Sequence, residues 1–272
     1  MASHDSAPGP VTSTRTTDRQ RRWALVTGAT GGIGSEFARY LATHGADLVL
    51  TGRDTVKLGA LAHELSGTGA QIMLMPVDLE DRQSRVQLHQ NLTEQGVIVD
   101  TLVNNAGYGI IDTVAKNDPD ALLGMLEVNV MALTHLTRLF LPAMIEAGAG
   151  SIINVASTAG YQPIPAMAAY AASKSYVRSF SVALWHETKG TGVRVVAISP
   201  GPTESEFFSR AGNDGAFKRR RTPADVVATT FAALADHRPT VIDGGRNQAM
   251  AFANRLVPER VATAVAHLMA KR

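Results

Sequence analysis

Short apolar runs alternate with longer amphipathic segments from residue 22 onward, and this alternation predicts a series of βα units. The apolar runs are rich in β-branched and aliphatic residues and have the length of buried strands. They predict strands at Trp23–Thr27, Asp47–Thr51, Gln71–Val77, Thr101–Asn104, Ser151–Val155, Val193–Ser199 and Thr240–Ile242. The intervening segments predict helices at Ile33–Thr43, Val56–Leu65, Asp81–Gln95, Pro119–Ala147, Ala166–Thr188 and Pro223–Ala235. Such a succession is typical of an α/β protein with a parallel sheet of about seven strands and helices on both faces.

The two ends of the chain differ from this pattern. Residues 1–21 are rich in Ser, Thr and Pro, which predicts a disordered N-terminal extension. A further amphipathic segment after the last strand predicts a C-terminal helix at Pro258–Ala270. Residues 22–272 contain no Gly- or Pro-rich linker and no long repeat, so we expect them to form one domain.

The charge balance argues against nucleic acid as a partner. The chain has 26 Lys and Arg residues against 24 Asp and Glu residues, and its first 22 residues alone carry the net charge of +2. The rest is balanced and predicts no broad basic surface. No apolar run approaches the ~20 residues of a membrane span, and the N-terminus lacks the apolar core of a signal peptide. We therefore expect a cytoplasmic protein without a membrane partner.

The composition also limits the chemistry. The absence of cysteine excludes a disulfide framework, a thiolate nucleophile and Cys-ligated zinc. The eight histidines form no metal-like cluster with carboxylates, so we expect no metal site.

A glycine-rich turn between the first strand and the first helix predicts a phosphate site. The sequence at 27–34 is TGATGGIG, and glycines there allow a sharp turn and a close approach of backbone to a pyrophosphate. The spacing differs from G-x-G-x-x-G and no Gly-Lys-Ser/Thr follows, which disfavours a P-loop and leaves a turn without a ligand as the alternative. The candidate cofactor contacts in this turn are Gly28, Thr30, Gly31, Gly32, Ile33 and Gly34.

The end of the second strand favours NADP(H) over NAD(H). An NAD site usually has a carboxylate at this place, whereas a 2′-phosphate needs a cation. Gly52 occupies the position of that carboxylate and Arg53 follows it, with Thr30 as a candidate second partner of the phosphate. The adjacent Asp54 could neutralise Arg53, and Arg53 could be an ordinary solvated charge, so NAD(H) remains the alternative.

Two further strand ends line the same predicted crevice. Asp78 and Leu79 close the third strand, and Asn105, Ala106 and Gly107 follow the fourth. Ligands of open parallel sheets bind at the carboxyl ends of the strands, so we expect all five to contact the cofactor. The alternatives are a helix-capping role for Asp78 and a simple turn at 104–107.

The segment Tyr170–Lys174 has the clearest chemical signal. Residues four apart lie on one face of a helix, so the phenol and the ammonium project side by side. A phenol has a pKa near ~10, and an adjacent cation lowers it toward the working pH of a general acid or base. Many helices carry Tyr and Lys at this spacing without a function, so the pair needs supporting residues.

Ser157 and Asn129 provide that support. Ser157 follows the fifth strand in a VASTA context unlike the G-x-S-x-G of hydrolases, which favours a hydroxyl donor to a carbonyl over a nucleophile. Asn129 lies in the middle of the predicted helix 119–147, where asparagine is a poor helix former unless its side chain has a task.

Together these segments resemble the short-chain dehydrogenase/reductase family, in its single-domain branch. The resemblance extends over nearly the whole chain after the N-terminal extension and includes the glycine turn, the Asn-Asn-Ala-Gly at 104–107, the four polar residues and the Pro-Gly-Pro-Thr at 200–203. It implies a Rossmann-type doubly wound sheet and hydride transfer between a nicotinamide and a carbonyl or secondary alcohol. It also implies homodimers or homotetramers that pack through the Asn129 and Tyr170 helices.

The resemblance implies a role for each site residue. Tyr170 would exchange the proton, and Lys174 would hold the nicotinamide ribose and depress the pKa of Tyr170. Ser157 would orient the carbonyl, and Asn129 would anchor a water of the proton relay. The residues that would border the nicotinamide are Pro200, Gly201 and Thr203.

The segment 203–222 interrupts the βα rhythm and predicts a substrate loop, which leaves the substrate open. Within the family, segments 200–208 and 254–258 look similar to bacterial ketoreductases of ketone or 3-oxoacyl type. The basic run Lys218–Arg221 is either a solvated surface or an attraction for acidic substrates. A non-catalytic dinucleotide-binding or redox-sensing protein on the same fold is the alternative function.

Overall fold

The computed structural model describes residues 22–204, 220–258, 260, 263 and 264 of the 272-residue chain. The predicted extension 1–21, most of the predicted substrate loop 203–222 and most of the predicted helix Pro258–Ala270 lie outside the described residues.

All seven predicted strands are present and form one parallel sheet in the order β3-β2-β1-β4-β5-β6-β7. The strand β1 is third in this order and pairs on both sides, with Val26 opposite Leu50 of β2 and Val103 of β4. The chain reverses its direction of winding between β1 and β4, which opens a crevice at the carboxyl ends of these strands. The strands are β1 Trp23–Thr27, β2 Asp47–Gly52, β3 Ile72–Pro76, β4 Val99–Asn104, β5 Gly150–Val155, β6 Val193–Ser199 and β7 Thr240–Ile242.

Helices connect the strands, and most begin and end within two residues of the predicted bounds. They are α1 Gly32–Thr43, α2 Thr55–Leu65, α3 Arg82–Glu94, α4 Pro119–Leu126, α5 Leu133–Glu146, α6 Ala168–Glu187, α7 Pro223–Ala235 and α8 Gly245–Leu256. The predicted long helix 119–147 is therefore divided. A wider π-helical stretch, Glu127–Ala132, lies between α4 and α5 and contains Asn129.

The helix α8 was not predicted, because Gly244, Gly245 and two polar residues after them are typical of a turn. The structure uses that turn to begin the helix: Gly244 has a φ of 83°, which a residue with a side chain rarely adopts. The C-terminal part of the chain therefore becomes helical thirteen residues earlier than the predicted start at Pro258.

The core lies on both faces of the sheet, as a doubly wound fold requires. Alternate residues of β1 point to opposite faces, so Ala24 and Val26 belong to one buried cluster and Trp23 and Leu25 to the other. The first cluster includes Phe37 of α1 and packs α1, α2 and α7 against the sheet. The second cluster packs α3, α5 and α6 against the opposite face.

One helical stretch among the described residues, Pro119–Glu146, is long and apolar enough to span a membrane by length and composition alone, with a mean hydropathy of 1.3 in its 18-residue window. The prediction that no apolar run approaches that length was too strict. In this fold the stretch packs against β4, β5 and α3, and 44% of the window is buried.

Candidate active site

The glycine turn brings β1, α1 and the end of β4 into close contact. Gly28 has a φ of 60°, and a side chain there would meet the Ala106 backbone at 2.9 Å. A side chain at Gly34 would collide with the Gly28 carbonyl. Helix α1 begins after Gly31, which offers no side-chain cap, so its first N–H groups face the crevice without a competing acceptor from the cap residue. This is a backbone cradle suited to an anion.

Asn105 fixes the glycine turn rather than ending β4 as a simple turn. Its side-chain amide donates to the backbone carbonyls of Thr27 and Gly28, at 2.9 and 3.0 Å. In return, the Thr27 hydroxyl accepts from the backbone N–H of Asn105 and of Ala106, at 2.9 and 3.0 Å. These bonds lock the two strand ends together, so the predicted contacts of β1 and β4 share one wall of the crevice.

At the end of β2 the structure places Thr30 beside Gly52: a Cβ built on Gly52 would lie 3.5 Å from the Thr30 hydroxyl. Arg53 follows with a side chain that is 69% exposed. Asp54 does not neutralise it, because the Asp54 carboxylate caps α2 by accepting from the Lys57 backbone at 2.9 Å. The carboxylate that reaches Arg53 belongs instead to Glu80, with 3.7 Å between Nη1 and Oε1.

Asp78 and Leu79 differ in their environment. Asp78 is exposed at the strand end and accepts from the Glu80 backbone at 3.1 Å. It does not cap the following helix, since Asp81 accepts from the first backbone N–H groups of α3. The alternative capping role of Asp78 is therefore wrong. Leu79 is buried in the second core cluster, which fixes the position of its backbone.

The pair Tyr170 and Lys174 lies on α6 and faces the crevice from within the protein. Both are buried, with 7% and 5% of their surface exposed. The Tyr170 hydroxyl is hydrogen-bonded to Ser157, and the Lys174 amine donates to the Val155 carbonyl at 2.9 Å. The Lys174 nitrogen lies 5.9 Å from the centre of the Tyr170 ring. Tyr170, Lys174 and Ser157 thus form one cluster at the end of β5.

Burial dominates the electrostatics of this cluster. It raises the pKa of Tyr170 to about 12, although the hydrogen bond from Ser157 acts in the opposite direction. Burial also lowers the pKa of Lys174 to about 8. The expected lowering of the Tyr170 pKa by Lys174 is not found in the protein alone, because desolvation by burial dominates. Tyr170 is therefore a neutral phenol at pH 7, which suits a proton donor.

Asn129 has a structural explanation within the π-helical stretch. Its side chain accepts from the backbone N–H of Tyr108 at 3.1 Å and donates to the Tyr108 carbonyl at 2.9 Å. It also donates to the Ser173 hydroxyl, which donates in turn to the Tyr170 carbonyl at 2.7 Å. A Cβ on Gly107 would lie 2.8 Å from the Asn129 carbonyl oxygen and 3.2 Å from the Lys174 amine. The wide turn thereby joins the Asn-Asn-Ala-Gly segment to α6, which carries Tyr170 and Lys174.

The segment after β6 closes the site from the other side. The Pro200 carbonyl accepts from the Thr158 backbone at 2.9 Å, next to Ser157. A side chain at Gly201 would collide with the Asn247 amide, and the buried Thr203 hydroxyl donates to the Gly201 carbonyl. Pro200, Gly201 and Thr203 are therefore held at the crevice, as predicted, although contact with a nicotinamide stays a prediction.

Arg221 has a role that neither interpretation of the basic run anticipated. Its guanidinium forms two hydrogen bonds with the Asp243 carboxylate, at 2.7 and 2.9 Å, and Asp243 is fully buried. The backbone of Arg221 also pairs with Pro202 and Glu204. Arg221 therefore connects the end of the segment 203–222 to its first residues and to the residue that follows β7. Lys218 and Arg219 lie outside the described residues.

Four residues that organise this site were not singled out from the sequence. Thr27 looked like an ordinary strand residue and Tyr108 like a loop residue, while Ser173 and Asp243 occupy a helix and a strand end. Ser173 carried the same signal as Asn129, since serine is a poor helix former. Among the described residues, no group of three or more His, Asp or Glu could hold a metal ion.

The seven-stranded order and the crevice define the Rossmann-type doubly wound α/β class. Within that class, the chain belongs to the short-chain dehydrogenase family, whose model matches residues 22–215.

The relatives and solved structures agree with this assignment. The chain is 40% identical over 195 residues to sulfoacetaldehyde reductase 2 of Chromohalobacter salexigens, covering 71% of this chain and 77% of that protein. It is 35% identical over 210 residues to an NADP-dependent 3-hydroxy acid dehydrogenase of Escherichia coli, covering 76% and 83%. A short-chain dehydrogenase from Sphingobium yanoikuyae in complex with NADPH superposes with a TM-score of 0.78 at 28% identity, covering 86% and 94%.

Proposed function

We propose that the protein is an NADP(H)-dependent oxidoreductase that interconverts a small carbonyl compound and its alcohol, with Tyr170 as the general acid and base. The observation that carries the proposal is the buried cluster in which Ser157 bonds the Tyr170 phenol while Lys174 lies beside it on the same helix. A non-catalytic protein on this fold has no need to bury a lysine and a phenol at the end of a crevice.

The residues of the crevice fit a phosphorylated dinucleotide. Gly28 and Gly34 allow β1, α1 and the end of β4 to pack closely behind the turn, and the start of α1, which has no side-chain cap, supplies N–H groups for a pyrophosphate. Gly52, at the end of β2, stands where NAD enzymes usually have a carboxylate and lies beside the Thr30 hydroxyl, and the exposed Arg53 follows it. We therefore assign the ribose 2′-phosphate to Arg53 and Thr30, in agreement with the NADP-dependent relative and the NADPH-bound neighbour.

The protein groups supply the proton and orient the substrate. When bound, NADP(H) supplies the hydride in reduction and accepts it in oxidation. In reduction, the neutral Tyr170 phenol donates its proton to the carbonyl oxygen, and Ser157 donates a hydrogen bond to the same oxygen. The Lys174 ammonium stabilises the phenolate that Tyr170 becomes and binds the ribose. Asn129, held between Tyr108 and Ser173, anchors the water that returns a proton to this pair.

The site and the relatives support a proposal for the substrate class. The hydroxyls of Ser157 and Tyr170 suit any aldehyde or ketone oxygen, so they do not distinguish among carbonyls. The relatives are named for sulfoacetaldehyde and 3-hydroxy acids, both of which carry an acid group. We propose a small carbonyl compound of the ketone or 3-oxo type, reduced in the cytoplasm.

We also propose a homodimer or homotetramer that packs through the Asn129 and Tyr170 helices. Large apolar side chains are exposed on α4, the π-helical stretch and α6, which is unusual for a surface that faces only water. They are Leu123, Met131, Tyr176 and Val182.

The decisive experiment is a screen of aldehydes, ketones and 3-oxo acids, sulfoacetaldehyde included, with NADPH and with NADH. We expect turnover with NADPH and a loss of about 10²- to 10⁴-fold in kcat in Tyr170→Phe, because the proton donor is removed. Binding of NADPH, measured by its fluorescence, should be kept.

Tyr176→Phe is the matched control. Tyr176 lies on the same helix as Tyr170, and its hydroxyl forms a hydrogen bond with the Thr134 hydroxyl at 2.9 Å. It should retain activity. Tight NADPH binding without turnover of any substrate would favour the redox-sensing alternative, and an active Tyr170→Phe would exclude Tyr170 as the proton donor.

A further inference from the structure

Glu80 occupies a position between the cofactor-binding end of the crevice and its catalytic end. It lies just beyond β3, and its carboxylate reaches across to Arg53 beyond β2, with 3.7 Å between Oε1 and Nη1. The side chain of Glu80 is 35% exposed, whereas that of Arg53 is 69% exposed. The pair therefore spans two strand ends at the place assigned to the ribose 2′-phosphate.

The carboxylate of Glu80 has a second partner that holds it in place. The Tyr108 hydroxyl donates to Oε1 at 3.2 Å, and a Cβ on Gly124 of α4 would lie 2.7 Å from Oε2. Burial and the nearby Glu80 charge raise the pKa of Tyr108 to about 12, so this hydroxyl keeps its proton and remains a donor. Glu80 thus has a partner on the β4 side in addition to Arg53.

The other carboxylates at this end of the crevice have different partners. Asp54 accepts from the Lys57 backbone, and Asp78 accepts from the Glu80 backbone at 3.1 Å. Among the described residues, Glu80 is the carboxylate that forms an ion pair with Arg53.

We infer that Glu80 determines cofactor specificity by competing with the ribose 2′-phosphate for the Arg53 guanidinium, which moderates the preference for NADP(H) over NAD(H). The inference rests on the proposed function, in which Arg53 binds that phosphate. A 2′-phosphate that binds Arg53 must displace the Glu80 carboxylate from the guanidinium and then remains close to that carboxylate, which repels it. An unphosphorylated ribose carries no charge that Glu80 could repel. Tyr108 retains the carboxylate nearby, so the repulsion persists in the complex.

The test replaces the charge of Glu80 while keeping its shape. Dissociation constants of NADPH and NADH are measured by fluorescence titration for the wild type and for Glu80→Gln. We expect NADPH to bind about two- to five-fold more tightly, the range of a partly exposed ion pair, and NADH to change much less. The difference should shrink in about 1 M salt, where charges are screened within ~3 Å.

Two further variants separate this effect from a general change of charge. Glu64→Gln removes a carboxylate of similar exposure that pairs with Arg39 at 2.6 Å, on the outer side of α1 and α2, and it should leave both constants unchanged. In an Arg53→Met background, Glu80→Gln should have a clearly smaller effect on NADPH, because the guanidinium that both anions share is gone.

The outcomes distinguish the inference from the proposed function. An unchanged ratio of the two constants in Glu80→Gln, or an equal effect with and without Arg53, would overturn the competition while leaving NADP(H) binding intact. A wild type that binds neither cofactor would contradict the proposed function and the inference with it. A melting temperature close to that of the wild type verifies that each variant is folded.

Discussion

The two ends of the crevice are built in different ways. At the catalytic end, Tyr170, Lys174 and Asn129 are almost fully buried, and their side chains bond to other protein groups. At the phosphate end, Arg53 and Glu80 form a partly exposed pair at 3.7 Å on the rim of the sheet. One end is a fixed polar network inside the fold, and the other is a pair of charges that water can reach.

Under the proposed function, this difference suits the task of each end. Proton transfer requires hydrogen-bonding distances, so its groups must be held by neighbours such as the Val155 carbonyl and Ser173. Selection between two cofactors requires only a charge of the right sign near one phosphate, which the exposed Arg53 would provide in the proposed function. Rigidity at the first end comes with an energetic penalty from buried polar groups, and the second end avoids that penalty because it stays hydrated.

The largest effect is expected when the buried charge at the catalytic end is removed. Lys174→Met should reduce kcat by about 10²- to 10⁴-fold, because the cation beside Tyr170 is lost. The same change should stabilise the fold. Burial lowers the pKa of Lys174 from 10.5 to about 8, so at pH 7 its protonation disfavours the folded state by about 3 kcal/mol. Loss of the hydrogen bond to Val155 offsets about 1 kcal/mol of that gain.

Urea unfolding at two pH values tests the sign of this effect. The penalty is complete below the folded-state pKa near 8 and disappears above the unfolded-state value of 10.5. We therefore expect Lys174→Met to be about 2 kcal/mol more stable than the wild type at pH 7, and to lose this advantage near pH 10. Lys189→Met removes an exposed lysine just after the same helix, whose amine lies 4.2 Å from the centre of the Trp185 ring; it should destabilise the fold by no more than about 1 kcal/mol and should not stabilise it. A destabilised Lys174→Met at pH 7 would show that the ammonium is well compensated.

At the phosphate end we expect the opposite: a substitution should change the cofactor specificity and leave the stability of the fold almost unchanged. Arg53→Asp should lower the preference for NADPH over NADH by about 10- to 100-fold, the range of a hydrogen bond to a charged group. Because Arg53 is 69% exposed, the free energy of unfolding should change by less than about 0.5 kcal/mol. Titration of both cofactors and a urea unfolding curve measure the two quantities.

Lys57→Asp makes the same change of charge on the exposed side of α2 and is the matched control. It should leave the cofactor ratio nearly unchanged. An equal shift in both variants would mean that the general potential of this surface, and not a contact with Arg53, selects the cofactor.

The fold and the membership of the site could be predicted from the sequence because both depend on local patterns. The strands follow from short apolar runs, and their observed ends differ from the predicted ones by at most two residues. Tyr170 and Lys174 meet because a helix places residues four apart on one face. Ser157 and Asn129 were added to the predicted site because of their positions after a strand and within a helix, and because of the family resemblance. The structure brings all four residues to the same end of the sheet.

The connections between distant segments could not be predicted in this way. Asp54 looked like the neighbour of Arg53 because it is adjacent in sequence, yet helix capping occupies it, and Glu80 comes from another strand end. Likewise, Arg221 meets the buried Asp243 only because the sheet places β7 beside β6. The burial of Tyr170 could not be predicted either. It raises the pKa of Tyr170, whereas the sequence led us to expect a lower pKa.

The last and smallest predicted effect is on the pH dependence of the reductive kcat. The pKa of Tyr170 is raised to about 12, so the phenol keeps its proton throughout the working range, whereas Lys174 titrates near 8. We expect the reductive kcat to be level below about pH 7 and to fall about tenfold between pH 7 and pH 9, because the ammonium that stabilises the developing phenolate is deprotonated. The measurement uses saturating NADPH, so that changes in cofactor binding at Arg53 do not contribute.

A Glu80→Gln variant should show the same profile, since the phosphate end takes no part in the proton transfer. A reductive rate that rises through pH 8 would mean that Lys174 acts in its neutral form.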